Sequence, residues 1–370
     1  MSGMGGGIGS GCADCGPPLL PSLIETYGPS GHKEAVRKQI QDWLNPTYST
    51  GKKLETQTDS AGNLILHLGD AKPGSKAPKI VFVAHMDEIG YVVRSIEPDG
   101  HLEVDSDGGG YSEFFLGHPI LIHTEKGSLS GVLELPEGWE KPGFEWPHGP
   151  RGIEEPAKVY VGTHSAEETR KLGIKVGDWM TIPKEYRPLF GTRANARSFD
   201  DRVGCAALVE AARVLGPDLA GRDVTFVWST QEEVGLKGAA AFAERAGKEG
   251  KAPDFVFAID TFVSSDSPIE SKRFADAEIG KGFVIRAVDN SNITPREYVD
   301  RVVKLAHENN IPVQYGITGG GNDGAVFVRY GTVDIPLGWP LRYSHSPGEV
   351  IDTRDLDALA KIVAVLAKNW

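Results

Sequence analysis

Three apolar runs in this 370-residue chain lead directly into side chains that bind divalent metals. Ile80-Val-Phe-Val-Ala84 runs into His85-Met-Asp87-Glu88, Val224 to Thr230 runs into Gln231-Glu232-Glu233, and Phe255 to Ile259 runs into Asp260. Two more candidates stand in loops: Asp200-Asp201 within Ser198-Phe-Asp-Asp-Arg-Val-Gly204, and His345 within Arg342-Tyr-Ser-His-Ser-Pro347. Each has an ordinary explanation alone. A carboxylate at a helix start is an N-cap, adjacent Glu232-Glu233 is a solvated charge pair, and a His after a strand is a packed or solvated side chain. Asp260 is more suggestive, because a carboxylate that follows five apolar residues faces desolvation unless something pairs with it. Taken jointly, two histidines and several carboxylates at strand ends and tight loops form the donor set of a two-metal site.

Peptide hydrolysis is a reaction such a set can serve. It needs a nucleophilic hydroxide at neutral pH, a polarised carbonyl and a protonated leaving amine, and two metals ~3.5–4 Å apart meet the first two needs. A bridging carboxylate holds that spacing. A further carboxylate, not a ligand, must carry the proton from the attacking water to the amine; a Glu beside a ligand-bearing Glu suits this, its pKa raised by burial and opposed by the cations. In His85-x-Asp87 the two side chains share a face if the strand persists, which lets Asp87 orient a ligand. His and carboxylate donors accept zinc, cobalt or manganese.

Alternating strands and helices, interrupted by an all-β block, must position these residues. Residues 1–17 are Gly-rich and too poor in apolar side chains to pack, so a disordered tail is expected, with Cys12 and Cys15 in it. Val36, Ile40, Trp43 and Leu44 recur at helical spacing between Lys33 and Leu44; Leu54–Thr56 and Leu64–Leu68 read as strands, and Ile80–Ala84 as a strand covered on both faces. From 88 to 182 short β-like runs separated by turn signals predict an inserted antiparallel barrel or sandwich, with 135–156 as a long surface loop. Afterwards the sequence predicts helices over 202–215, 239–246, 298–309 and 354–368, the last capped by Asp352 or Thr353. Strands are expected over 224–229, 255–259, 283–287 and 312–317. The fold class is therefore α/β, with a catalytic domain from 18–87 and 183–370 around a β domain from 88–182. In such sheets ligands gather beyond the carboxyl ends of the strands.

Composition narrows the partners. The net charge of −12 offers no basic surface for nucleic acid or anionic membranes. No apolar run approaches the roughly 20 residues that span a bilayer, and no basic-then-apolar segment opens the chain, which points to a cytoplasmic protein. Three cysteines do not make a disulfide framework.

The motifs together resemble the M42 family of metallo-aminopeptidases. The resemblance rests on Gly28-Pro-Ser-Gly31, Ala84-His-Met-Asp-Glu-Ile-Gly90, Ser165-Ala-Glu-Glu with Leu172-Gly-Ile-Lys-Val-Gly-Asp178, and Phe199-Asp-Asp-Arg202. It continues through Gln231-Glu-Glu-Val-Gly-Leu-Lys-Gly-Ala239, Ala258-Ile-Asp260 and Arg342-Tyr-Ser-His-Ser-Pro347 with Glu349. It implies a mixed-sheet dinuclear-metal domain with a PDZ-like barrel used in assembly into tetrahedral dodecamers, two zinc or cobalt ions, and removal of N-terminal residues from peptides with a free N-terminus. Residue by residue, it implies that His85 and Asp260 bind one metal, Glu233 and His345 the other, and Asp200 both, with Glu232 as general base and Asp87 supporting it near His85. The family commonly shows Gly-Gly-Thr-Asp before the last ligand, whereas this chain has Thr318-Gly-Gly-Gly-Asn-Asp323. The alternatives are another amide hydrolase on the same metals, such as a deacylase or a carboxypeptidase-like enzyme, glycan cleavage, and a non-catalytic assembly protein. A glycosidase needs two carboxylates free of metal, and a non-catalytic relative would have lost a ligand or the base.

Overall fold

Ile80–Ala84 is apolar at every position, so a strand built from it must be covered on both faces, and the structure covers both. In the computed structural model, which describes residues 18–45, 54–72, 74–110, 114–144, 157–217, 219–268 and 275–370, this segment lies in a strand from Lys79 to His85. The expected tail at 1–17 and the part of the expected loop from 145 to 156 lie outside the described residues. Asp223–Ser229 and Phe255–Val263 flank Lys79–His85 in parallel, and Leu337–Leu341 continues the parallel set beyond Phe255–Val263. Thr56–Thr58 and Leu64–Leu68 extend the sheet on one side, Leu64–Leu68 antiparallel to Asp223–Ser229. On the other side come Phe283–Val288, antiparallel to Leu337–Leu341, then Val313–Ile317 and Ala275–Asp276; with the short strand Val333–Asp334 beside Phe255–Val263 the mixed sheet has ten strands.

Period-2 alternation divides the strands between two cores. Ile80, Phe82, Ala84, Phe226, Trp228 and Phe257 face helices that include Glu34–Trp43, Phe199–Leu215 and Thr353–Asn369. Val81, Val83, Val227, Val256 and Ala258 face Ala239 and Ala243 of the helix Lys237–Lys248 and Phe327. The closing helix is capped by Asp352, whose side chain accepts from the Arg354 N–H, which decides between the two caps expected there.

The block between the two halves is a closed antiparallel barrel of six strands: Gly90–Ile96, Leu102–Asp107, Ala157–Tyr160, Gly127–Leu133, Pro119–Thr124 and Trp179–Thr181. It has its own core, in which Val93, Leu102, Val104, Ile120, Ile122, Leu133, Val159 and Met180 are buried. The chain enters it just after Glu88 and leaves it just before Lys184. Those two side chains meet: both Glu88 carboxylate oxygens accept from Lys184 Nζ, at 2.8 and 2.9 Å. Glu88 also accepts from Gly28 N at 2.7 Å, Ser198 Oγ at 2.6 Å, Arg202 Nη2 at 3.1 Å and Arg197 Nη2. Burial opposes its ionisation, but the three cations hold the carboxyl well below the usual range. No helix among the described residues is long and apolar enough to cross a membrane.

Several elements differ from the sequence expectations. The strand expected at 54–56 lies at Thr56–Thr58, where it pairs with Leu64–Leu66. Phe255–Val263 runs past Asp260, which is therefore inside a strand rather than at its end; pairing with Leu337–Leu341 carries it on. Leu337–Leu341 itself, and the helix Leu19–Glu25, were not expected as elements.

Candidate metal centre

His85 is the last residue of its strand, and Ser229 stands beside it in register, so the 230–233 turn begins level with the imidazole. On the other flank Ala258 pairs with Val83, which puts Asp260 level with His85 and on the same sheet face. Gly338 pairs with Asp260, and a Cβ there would run into the Asp260 carbonyl oxygen, so only glycine lets these strands close. Asp200 comes from the start of the helix Phe199–Leu215, where Ser198 is left-handed and the Asp200–Asp201 peptide is cis. His345 comes from the loop before Glu349–Asp352, a strand that pairs with Arg193–Ala196 and so draws that loop toward Asp200. Ser198, Gln231, Tyr343 and His345 all have positive φ without being glycine. Such strain at loops that aim side chains is held by the packing around them.

These loops bring five of the seven expected site residues into two donor groups that share a member. His85, Asp200 and Asp260 form one, and Asp200, Glu233 and His345 the other, with one donor atom from each residue of a group within 4.8 Å of the others. Asp200 lies between the imidazoles: Oδ1 is 3.1 Å from His85 Nε2 and Oδ2 is 3.2 Å from His345 Nε2. Glu233 Oε2 is 3.6 Å from His345 Nε2. Glu232 is in neither group, although its Oε2 lies 3.8 Å from His85 Nε2. Asp201 points elsewhere, accepting from Gly204 N at 2.9 Å and His85 N at 3.0 Å.

Asp87 sits differently from the sequence expectation. The strand ends at His85, so the two side chains do not share a strand face; Asp87 Oδ1 is 3.7 Å from His85 Nδ1. Its carboxylate accepts instead from Ser30 Oγ at 2.6 Å and from the backbone N–H groups of Glu232 and Glu233 at 3.0 and 3.3 Å. It fixes the turn that carries both glutamates. Two further residues support the site: Arg286, which the sequence did not single out, and Glu349, which it gave only as part of a motif and without a role. Arg286, buried in the sheet, places Nη1 2.9 Å from Asp260 Oδ2. Glu349 accepts from Phe199 N at 2.7 Å and His345 N at 3.0 Å, tying two site loops together. An arginine inside an apolar strand, Phe283–Val288, was the available signal for the first.

The electrostatics are those of a buried excess of carboxylate. Burial, and repulsion from Asp260 and Glu233 among others, pushes Glu232 well above the usual carboxylate range, although His85 pulls it down. Burial also pushes Glu233 up to about 8 and Asp323 up to about 7. Asp200 is the exception: burial opposes its charge, but hydrogen bonds from His345 and His85 hold it low. His345 is raised to about 10 because Glu233 and Asp200 outweigh burial. Carboxylates crowded this way are costly without cations. Imidazole nitrogens and carboxylate oxygens in this proportion are the donors of a divalent metal pair, so the residues fit one.

A profile of the M42 glutamyl aminopeptidase family matches residues 62–362. The chain belongs to the M42 family. This M42 chain is 32% identical over 356 residues to the lysyl aminopeptidase of Pyrococcus furiosus, covering 95% of this chain and 96% of that one. It is 28% identical over 352 residues to the glutamyl aminopeptidase of Lactococcus lactis, covering 91% of each. Among solved structures it superimposes on the TET1 peptidase of Pyrococcus horikoshii with a TM-score of 0.79 at 32% identity, covering 95% of this chain and 99% of that one. The Pyrococcus horikoshii protein can assemble into a tetrahedron or a large octahedral shell. The M42 chain is thus an enzyme of the aminopeptidase class, a hydrolase of peptide bonds.

Proposed function

We propose that this M42 enzyme removes N-terminal residues from peptides at a two-metal site, on the strength of one observation above all: Asp200 presents one oxygen to each of two histidine-bearing donor groups. His85 and Asp260 would hold one ion, Glu233 and His345 the other, and Asp200 both; zinc or cobalt suits this donor set. Metals held there supply Lewis acidity, polarising the scissile carbonyl and acidifying water. Glu232, near the donors but in neither group, takes the proton of the attacking water and delivers it to the leaving amine. Burial raises its affinity for a proton, which makes it the stronger base for the first of these transfers. Asp87 keeps Glu232 in place by holding its backbone N–H, and Arg286 keeps Asp260 in place.

Catalysis would be the work of 18–87 and 183–370, and assembly that of 88–182. A homo-oligomer, a dodecamer in the first instance, is supported by a solved relative that is a dodecamer and by the tetrahedral assembly of the Pyrococcus horikoshii protein, and the enzyme would act on free peptides in the cytoplasm. The deciding experiment measures metal per chain together with release of amino acids from unblocked and N-acetylated peptides, before and after chelation. About two metals per chain, trimming of unblocked peptides alone and loss of activity on chelation are expected. Equal cleavage of acetylated peptides would favour a deacylase, and a metal-loaded chain that cuts nothing would end the catalytic reading.

A further inference from the structure

The barrel reaches the metal centre at the end of its second strand. Its strand Leu102–Asp107 turns Leu102 and Val104 into the barrel core, so alternation aims Asp107 out of the barrel, at the end that meets the catalytic half. The glycines after it pass over the second donor group: a Cβ on Gly108 would stand 3.3 Å from Glu233 Cβ, and one on Gly110 would stand 3.8 Å from His345 Cβ. Asp107 is half-buried, and no hydrogen bond or ion pair to another described residue satisfies it. The charged groups that act on it are Asp87 and, more weakly, Lys237; with burial, Asp87 pushes its carboxyl up to about 6. An unpaired carboxylate in such a place costs stability that a bound cation would recover.

We infer that Asp107 is a specificity-determining residue of the aminopeptidase reading above, receiving the side-chain cation of a lysine or arginine at the peptide's first position. The α-amine is one bond from the Cα that bears the scissile carbonyl, so it stays with the donors. A lysine or arginine side chain carries its charge several atoms farther out, toward the strand end beyond Glu233. A first-position glutamate would instead meet Asp107 with Asp87 behind it.

The test compares kcat/KM of the metal-loaded, full-length enzyme on lysyl, arginyl, leucyl and glutamyl p-nitroanilides. The wild type should prefer the basic substrates to leucyl. Asp107→Asn should lower the lysyl-to-leucyl ratio about tenfold, and Asp107→Lys should raise glutamyl above lysyl. A ratio unchanged in Asp107→Asn overturns the assignment, as does a wild type that prefers leucyl or an equal loss on every substrate. If the wild type releases nothing from any unblocked substrate, the aminopeptidase reading itself falls, and the assignment with it.

Discussion

Replacing Glu88 by Gln removes one charge from the joint between barrel and sheet while keeping the shape. Both Glu88 oxygens meet only donors: Gly28 N, Lys184 and Arg202 on one, Lys184, Arg197 and Ser198 on the other. Whichever way the amide turns, its NH2 must face N–H, O–H or ammonium donors, and Lys184, Arg197 and Arg202 are left buried without a counter-charge. Breaking a buried pair in this way costs about 3–5 kcal/mol. At about 2 °C per kcal/mol for a large chain, Tm should fall by roughly 6–10 °C at pH 7. The pH dependence has a definite sign. Because Glu88 is held below its ordinary value, its contribution is fully present above the unfolded pKa of about 4.3 and is lost as pH falls through the folded value. The gap between wild type and Glu88→Gln should therefore be full at pH 7 and shrink below about pH 4. Scanning fluorimetry across that range measures it. Melting temperatures equal within about 2 °C at pH 7 would show that the cluster does not stabilise the fold.

Three other outcomes follow from the same geometry. Glu232→Gln should lower kcat by about 10²–10⁴ with metal content near that of the wild type, read by steady-state kinetics and elemental analysis. Asp200→Asn should lose bound metal, whereas Asp201→Asn should retain it and lose about 1–3 kcal/mol of stability by leaving Gly204 N or His85 N facing an amide NH2; equal metal loss in both would undo the distinction between the two aspartates. Gly338→Ala should push Asp260 away from its neighbour, destabilising the chain by about 1–3 kcal/mol or more and lowering metal content, and a variant as stable and metal-replete as the wild type would contradict that packing.

The strands that carry the site were legible because burial on both faces leaves an unmistakable apolar run, as in Ile80–Ala84. Leu337–Leu341 was not, although it lies between Phe255–Val263 and Phe283–Val288. Its Gly338 and Pro340 read against a central strand, and the reason for the glycine, the Asp260 carbonyl, exists only once the strands have paired. The donors were legible through their joint occurrence at run ends and loops. The geometry that separates Asp200 from Asp201 was not, since both have the same chemistry and only the left-handed Ser198 and the turn into the helix aim them apart. Asp87 was found by its spacing from His85, but the structure gives it the Glu232-Glu233 turn to hold. The supporting contacts of Glu88 with Arg197 and Arg202, of Arg286 with Asp260 and of Glu349 with Phe199 N span long sequence separations, which a linear pattern does not record.

The barrel's buried cluster shares no member with either core of the sheet, and its entry and exit close on a single ion-paired clamp, Glu88 with Lys184. That layout defines natural cut points for recombination. A lineage could exchange everything between those two residues for a different barrel and keep the donors in register, because Ser198, Arg197 and Arg202, which flank Asp200, are all held by Glu88, and the bond that Arg197 Nη1 also donates into the exchanged segment, at 3.1 Å, goes to the backbone carbonyl of Ile89, which any side chain there would leave in place. With Asp107 on the exchanged side, such a swap would pass on a new preference together with a new outer surface, while the hydrolytic half stayed as inherited.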